Sequence, residues 1–316
     1  MYEMKKEFKE RIEKQIGKRD AEKFFDTFKQ RTRKAFRVNT IKANSEDIKE
    51  RIKERGWKFR QIPGLNGAFI IDTELNPGEL GKTIEHNIGG YYIQEITSML
   101  PALALNPQEN EKVLDLCAAP GSKTTQIAAL MNNKGILFAN EVRKDRVNIL
   151  STNLERCGVA NTIVTNSDGL RICKFFRENK YLFDKILVDA PCSGEGTIMN
   201  DPSILRTWNP NMIKKFSRIQ KGLIESAFNT LVVGGTLVYS TCTLEVEEDE
   251  EVIQYLIDKF PKQIKVEKIS LPLKSRSGLK EWDNKKFDKE ILNCAKFWPQ
   301  DNGSEGFFIA RIRKIE

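Results

Sequence analysis

From Tyr91 onward the chain alternates short apolar runs with helix-patterned stretches, and few architectures satisfy that rhythm. Strands are expected at 112–117, 135–142, 162–166, 185–189 and 236–240, with helices at 97–105, 123–131, 145–157, 212–231 and 245–260 between and around them. Such alternation argues for an α/β fold with a mostly parallel, doubly wound sheet. Ligands of such sheets bind beyond the carboxyl ends of the strands. The loops at those ends are therefore where chemistry is sought.

The rest of the chain sets bounds. Its 316 residues suffice for one large domain and a small one, and 40% apolar residues can build the core. A net charge of +8 suggests a polyanionic partner, although a Lys- and Glu-rich surface of the thermophile kind has the same balance. The six cysteines contain no Cys-x-x-Cys pair and there is one histidine, His86, so no metal site is expected. The charged stretch from Met1 to Arg11 has no apolar core of a secretory signal, and no run approaches the roughly 18 to 20 apolar residues that cross a bilayer. A cytoplasmic monomer with free thiols and no membrane partner is expected.

Before the regular pattern lies a different region. Phe8, Ile12, Ile16, Phe24, Phe25 and Phe28 recur at near-helical spacing, which predicts one or two amphipathic helices within residues 4–34. Lys29 to Arg37 is basic and reads either as a solvated face or as a phosphate-binding surface. A strand at 36–40, a helix capped by Asn44 or Ser45 and stopped at Gly56, and strands at 57–62 and 68–71 form a small α/β module. Gly89-Gly90 reads as the hinge into the large domain, giving domains 1–88 and 89–316.

Three loops stand out. In the run from Asp115 to Lys123, small residues Ala118, Ala119, Gly121 and Ser122 let backbone approach a ligand, and the following helix offers free N–H groups. A single glycine there matches neither the dinucleotide fingerprint nor a phosphate loop. A carboxylate-bearing ligand, such as the methionine part of S-adenosylmethionine, suits it better. Glu141, at the next strand tip, is placed to bind ribose hydroxyls, and Asp168, at the third, to accept from adenine; helix capping is the simpler role for each. The other two loops are Asp189-Ala190-Pro191-Cys192-Ser193-Gly194 and Tyr239-Ser240-Thr241-Cys242-Thr243, which deliver two thiols to one sheet edge.

These motifs resemble the RNA 5-methylcytosine methyltransferases, the Sun/Fmu group of the RsmB/NOP class. The resemblance runs through residues 36–40, 92–95, 115–124, 140–141, 167–169, 189–194, 240–243, 298–299 and 306–308, and departs at Ser122, where the family more often has glycine. It implies a Rossmann-like S-adenosylmethionine-dependent methyltransferase sheet with a small amino-terminal α/β domain, RNA-recognition-like, that selects the target. It implies methylation of carbon 5 of a cytosine in RNA, tRNA before rRNA. It further implies that Cys117, Ala118, Ala119, Pro120, Gly121, Ser122, Lys123, Glu141, Asp168 and Asp189 contact the cofactor or its surroundings. Arg146 lines the pocket or forms a surface ion pair. Cys242 would be the nucleophile, Cys192 a second catalytic thiol and Asp189 the carboxyl that supports the ring nitrogen.

Carbon 5 of cytosine is a poor nucleophile, and covalent attack of a thiolate on carbon 6 activates it. DNA cytosine methyltransferases use a cysteine after proline, which points to Cys192; the family resemblance points to Cys242. An N-methyltransferase would carry an Asn- or Asp-Pro-Pro-aromatic loop in place of 189–192, and an idle RNA-binding factor would not need both thiols. Cys157, Cys173, Cys294 and His86 are read as structural, Cys117 as offering backbone contacts, and the five consecutive acids Glu247 to Glu251 as a solvated helix face.

Overall fold

The computed structural model describes residues 4–316; Met1 to Glu3, the first residues of the expected amino-terminal domain and charged terminus, lie outside the described residues. The small sheet comprises β1 (Ala35–Val38), β2 (Phe59–Gln61), β3 (Ala68–Ile71) and β4 (Tyr91–Ile93), in the order β2-β3-β1-β4 with every pairing antiparallel. Side chains alternate across a strand. Here both faces are covered, so β1 and β3 are buried throughout. Phe36, Val38, Phe69 and Ile71 pack on Ile48 and Ile52 of the helix Ser45–Glu54. Ala35, Ala68 and Ile70 face Met99, Leu100 and Val113 of the large domain. Asn44 caps that helix, its side chain accepting from Asp47 N at 2.9 Å. β4 was not expected: Tyr91–Ile93 belongs to this small sheet.

The large sheet contains β5 (Lys112–Asp115), β6 (Ile136–Asn140), β7 (Thr162–Thr165), β8 (Phe183–Asp189) and β9 (Leu231–Thr241), all parallel. Beyond them come β10 (Ile264–Glu267), β11 (Arg276–Ser277), the hairpin β12 (Glu281–Trp282) and β13 (Lys285–Lys286), β14 (Ala295–Phe297) and β15 (Phe307–Lys314). The order is β11-β14-β15-β9-β8-β5-β6-β7, with β10 also on β15, and β15 runs antiparallel to β9. The doubly wound expectation holds for β5 to β9. The strands after residue 260 had no sequence assignment, because short pieces such as β11 carry no periodicity of their own.

Two expected elements change their limits. The helix Pro210–Phe228 stops before Leu231, which pairs with Phe183 at the start of β9. The acidic helix starts at Glu250 instead of Glu245, because residues 246–249 turn.

The helices Lys6–Ile16 and Lys18–Thr27 do not extend the small sheet. Phe8, Ile12 and Phe24 pack with Trp208, Leu244 and Trp298 of the large domain. The small sheet is equally committed. Asn39 Nδ2 donates to Gly89 O at 2.8 Å and to Cys157 O at 2.7 Å. Gly89, expected in a hinge, is therefore locked: its φ is 81°, and a Cβ there would lie 1.9 Å from Arg156 O. Gly89→Ala should cost about 2–4 kcal/mol through left-handed strain and overpacking, read as a lowered urea midpoint.

Candidate active site

β8 and β9 lie side by side with Asp189 opposite Ser240, so both chains leave the sheet at one level. Their thiols meet: Cys192 Sγ and Cys242 Sγ are 3.2 Å apart. Gly196 N donates to Cys242 O at 3.0 Å, and Gly306 N donates to Gly196 O at 2.8 Å. A Cβ on Gly196 would sit 2.2 Å from Gly306 O, so only glycine permits this approach.

Asp189 is fixed from two sides. Ser240 Oγ donates to Oδ1 at 2.7 Å, and Lys123 Nζ donates to Oδ2 at 2.7 Å. Lys123 also reaches Ser98 Oγ at 3.0 Å. Burial alone lowers the Lys123 ammonium, but Asp189, and after it Cys242, more than offset this and the net direction is up. Lys123 is thus a lasting cation against the carboxylate and within electrostatic reach of the second thiol. Cys192 behaves differently. Its hydrogen bond to Cys242, its burial and the nearby Glu248 and Glu195 push its thiol well up. Cys192 therefore keeps its proton beside the second sulfur.

The run after β5 forms a cradle with the character a nucleoside-type cofactor needs. Gly121, with φ at 103°, opens the helix Ser122–Leu130, and a Cβ there would meet Leu150 Cδ1 at 3.1 Å. The helix Lys144–Arg156 braces the cradle from behind: Asn153 Nδ2 donates to Pro120 O at 2.9 Å, and Arg146 donates to Ala119 O. Glu141 at the end of β6 accepts from Arg143 N at 2.9 Å and lies 3.5 Å from Arg146. Asp168 Oδ1 caps the helix Gly169–Glu178, accepting from Leu170 N at 3.0 Å and Arg171 N at 3.1 Å. Asp115 is buried; one oxygen accepts from Thr124 at 2.7 Å, and the other has no partner among the described residues. Burial, with Asp189 nearby, pushes Asp115 up to about 7. An orphaned buried oxygen beside a glycine-lined turn fits a polar ligand. Residues 117–122 and Glu141 thus gather at one place, and the Lys123 ammonium lies against Asp189 and Ser98. Burial likewise raises the Cys117 thiol.

Several expectations need correction. The acids from Glu247 to Glu251 are not a solvated face, since Glu248, Asp249 and Glu250 are fully buried. Lys296, also buried, answers Asp249 at 3.3 Å and Glu250 at 3.1 Å. Arg11 from the first helix donates to Glu245 at 2.7 Å and also to Glu247. Arg37, counted in the basic stretch, is buried instead, with Nε donating to Gln94 at 3.0 Å and a terminal nitrogen to Thr125 at 3.1 Å. Arg31 and Lys34 remain exposed, and Thr32 between them bonds Asn200 at 2.9 Å. Asn200 in turn donates to Glu305 at 2.6 Å, and burial beside Glu95 pushes Glu305 up to about 7.

Comparison with known proteins agrees with this geometry. The model of the 16S rRNA methyltransferase RsmB/F family matches residues 102–313, and that of the N-terminal domain of 16S rRNA methyltransferase RsmF matches residues 4–96. The chain belongs to this family. A tRNA (cytosine(49)-C(5))-methyltransferase of Pyrococcus abyssi is 40% identical over 99% of this chain and 98% of its own length. The ribosomal RNA small subunit methyltransferase F of Vibrio campbellii is 42% identical over 93% of this chain, which spans only 59% of that relative. Among solved structures, a methyltransferase homolog from Pyrococcus horikoshii superposes with a TM-score of 0.86 at 36% identity, covering 98% of this chain and 95% of its own. NSun6 from Pyrococcus horikoshii with SFG superposes at 0.85 with 25% identity, covering 99% and 98%. The family is one of S-adenosylmethionine-dependent RNA methyltransferases with a Rossmann-like sheet.

Sequence reasoning missed the acids behind the thiols, Glu195, Glu245 and Glu248. Their signal was position, each lying three or six residues after a loop cysteine. Arg11→Ala would leave Glu245 buried without its cation. It should destabilise the protein by about 3–5 kcal/mol. Burial already raises Glu245, and losing Arg11 raises it further. The deficit against wild type is therefore full above the variant's raised Glu245 value, shrinks as pH falls from there to the lower wild-type value, and is lost before the ordinary glutamate range is reached, measured as paired thermal melts across pH.

Proposed function

We propose that the protein methylates carbon 5 of a cytosine in RNA through a covalent bond between Cys242 and the base. The observation that carries this reading is the 3.2 Å approach of Cys192 and Cys242 beside the Lys123–Asp189 pair. A tRNA cytosine is the favoured target, because the tRNA methyltransferase relative matches along 98% of its own length. An rRNA cytosine is the second reading, favoured by the RsmB/F family match.

S-adenosylmethionine supplies the methyl group as an electrophile on a sulfonium sulfur. Residues 117–122, Glu141 and Asp168 would hold it at the ends of β5, β6 and β7. Cys242, with Lys123 close by, adds as a thiolate to carbon 6 of the flipped base. The Lys123–Asp189 pair supports the ring nitrogen by passing it a proton through the Asp189 carboxylate as negative charge builds there. Carbon 5 takes the methyl group and loses its proton. Cys242 then leaves, its departing charge met by the Cys192 S–H. The region from the helix Lys6–Ile16 through β4 forms the RNA-binding module in this reading. Trp57, Phe59, Lys49, Lys53 and Lys58 line one cleft there, pairing stacking surfaces with cations, and Arg31 and Lys34 stand exposed on the segment tied to Asn200.

The test is methyl transfer to an unmodified tRNA transcript and to small-subunit rRNA. Cys242→Ala should form neither product nor adduct. Cys192→Ala should arrest as a protein–RNA adduct that survives denaturing electrophoresis. An adduct in Cys242→Ala would reverse the two thiols, and methylation at a nitrogen would reject the chemistry.

A further inference from the structure

Cys192 is gripped from both sides by one buried unit that the steps above do not use. Gln220, on the helix Pro210–Phe228, donates from Nε2 to Pro191 O at 2.9 Å and to Glu248 Oε2 at 2.7 Å. The same Glu248 oxygen accepts from Ser193 N at 3.1 Å. Pro191 O and Ser193 N belong to the two peptide groups that flank Cys192. Tyr239 OH anchors the unit from β9 by donating to Glu248 O at 2.6 Å.

The other Glu248 oxygen opens a cluster whose protons can be counted. Ser193 Oγ meets Glu248 Oε1, Glu195 Oε2 at 2.7 Å and Thr243 Oγ1 at 3.1 Å, and Thr243 Oγ1 also meets Glu195 Oε2. Four oxygen–oxygen hydrogen bonds need four protons, and the two hydroxyls supply two. The remainder must sit on the carboxyls. No Lys or Arg pairs with Glu195 or Glu248 among the described residues. The titratable groups facing them are Glu245, Asp249, Cys192 and Tyr239; Arg11 is taken by Glu245 and Glu247, and Lys296 by Asp249 and Glu250. Burial first, then mutual repulsion, pushes Glu248 up to about 8; burial first, then Glu245, pushes Glu195 up to about 7.

We propose that Glu248, as a neutral acid working with Gln220, is the positioning residue that aims Cys192 for the release of Cys242 from the methylated base. Ionisation removes the proton that joins Glu248 Oε1 to Ser193 and leaves a charge with no paired cation in a buried site. For a carboxyl raised in this way the neutral arrangement holds at low pH and is lost as pH rises through the folded value, so release should fail on the alkaline side, near pH 8. The inference rests on Cys192 as the releasing thiol.

The experiment compares adduct accumulation and turnover in the full chain with S-adenosylmethionine and a tRNA transcript that the wild type methylates. Cys192→Ala is the reference. Glu248→Ala and Gln220→Ala should turn over about 10- to 100-fold more slowly and accumulate adduct. Glu248→Gln, whose amide can accept from Ser193 N and donate to Ser193 Oγ, should release product as wild type does and lose the alkaline fall. If Cys192→Ala accumulates no adduct, the reading of Cys192 fails, and this inference with it. If it does but Glu248→Ala and Gln220→Ala release freely, the positioning role alone is wrong. Adduct in Glu248→Gln at every pH would reject the neutral acid. Should Glu248→Ala fail to fold, Gln220→Ala and Glu248→Gln decide.

Discussion

The parallel pairing of β8 with β9 is the constraint from which the site follows. Asp189 and Ser240 are register partners, and Ser240 Oγ bonds the Asp189 carboxylate at 2.7 Å. Because both strands end at that level, the residues that leave the sheet must share one space. Cys192 and Cys242 meet there, and the carboxylate that anchors Lys123 stands on the same rung. The close approach then needs backbone without side chains, which Gly196 and Gly306 provide. Moving β9 by one residue would send its inward side chains to the other face of the sheet and part the thiols.

The loops behind the thiols contain more buried acid than a structural role requires, and the fold neutralises it in two ways. Glu245, Asp249 and Glu250 are met by Arg11 and Lys296, so their cost is offset by cations brought from distant parts of the chain. Among the described residues Glu195 and Glu248 receive no cation and are held by hydroxyls instead. The first group ties the amino-terminal helices and the carboxyl-terminal strands to the site. The second stands directly behind Cys192. A carboxylate with a fixed counterion resists titration, whereas one held by a proton responds to pH.

The amino-terminal region is fastened to the large domain at many places. Phe8, Ile12 and Phe24 pack under Trp208 and Trp298, Arg37 reaches Thr125 on the helix that follows the cofactor cradle, and Asn39 clamps Gly89 to Cys157.

The sequence by itself determined the parallel core, the cradle and the two thiol loops, because strand periodicity and small-residue turns are local properties. The helix Ser45–Glu54 and β3 were legible to within a residue for the same reason. What stayed hidden depended on partners far along the chain. The pairing of Lys123 with Asp189, which ends another strand, has no local signal. Five adjacent acids look solvated until Arg11 and Lys296 are brought to them. Gly89-Gly90 looks like a hinge until Asn39 and the end of the helix Lys144–Arg156 close on it. Tertiary structure decided those matters because charge and burial are settled by neighbours in space, and such neighbours leave no periodic trace in the chain.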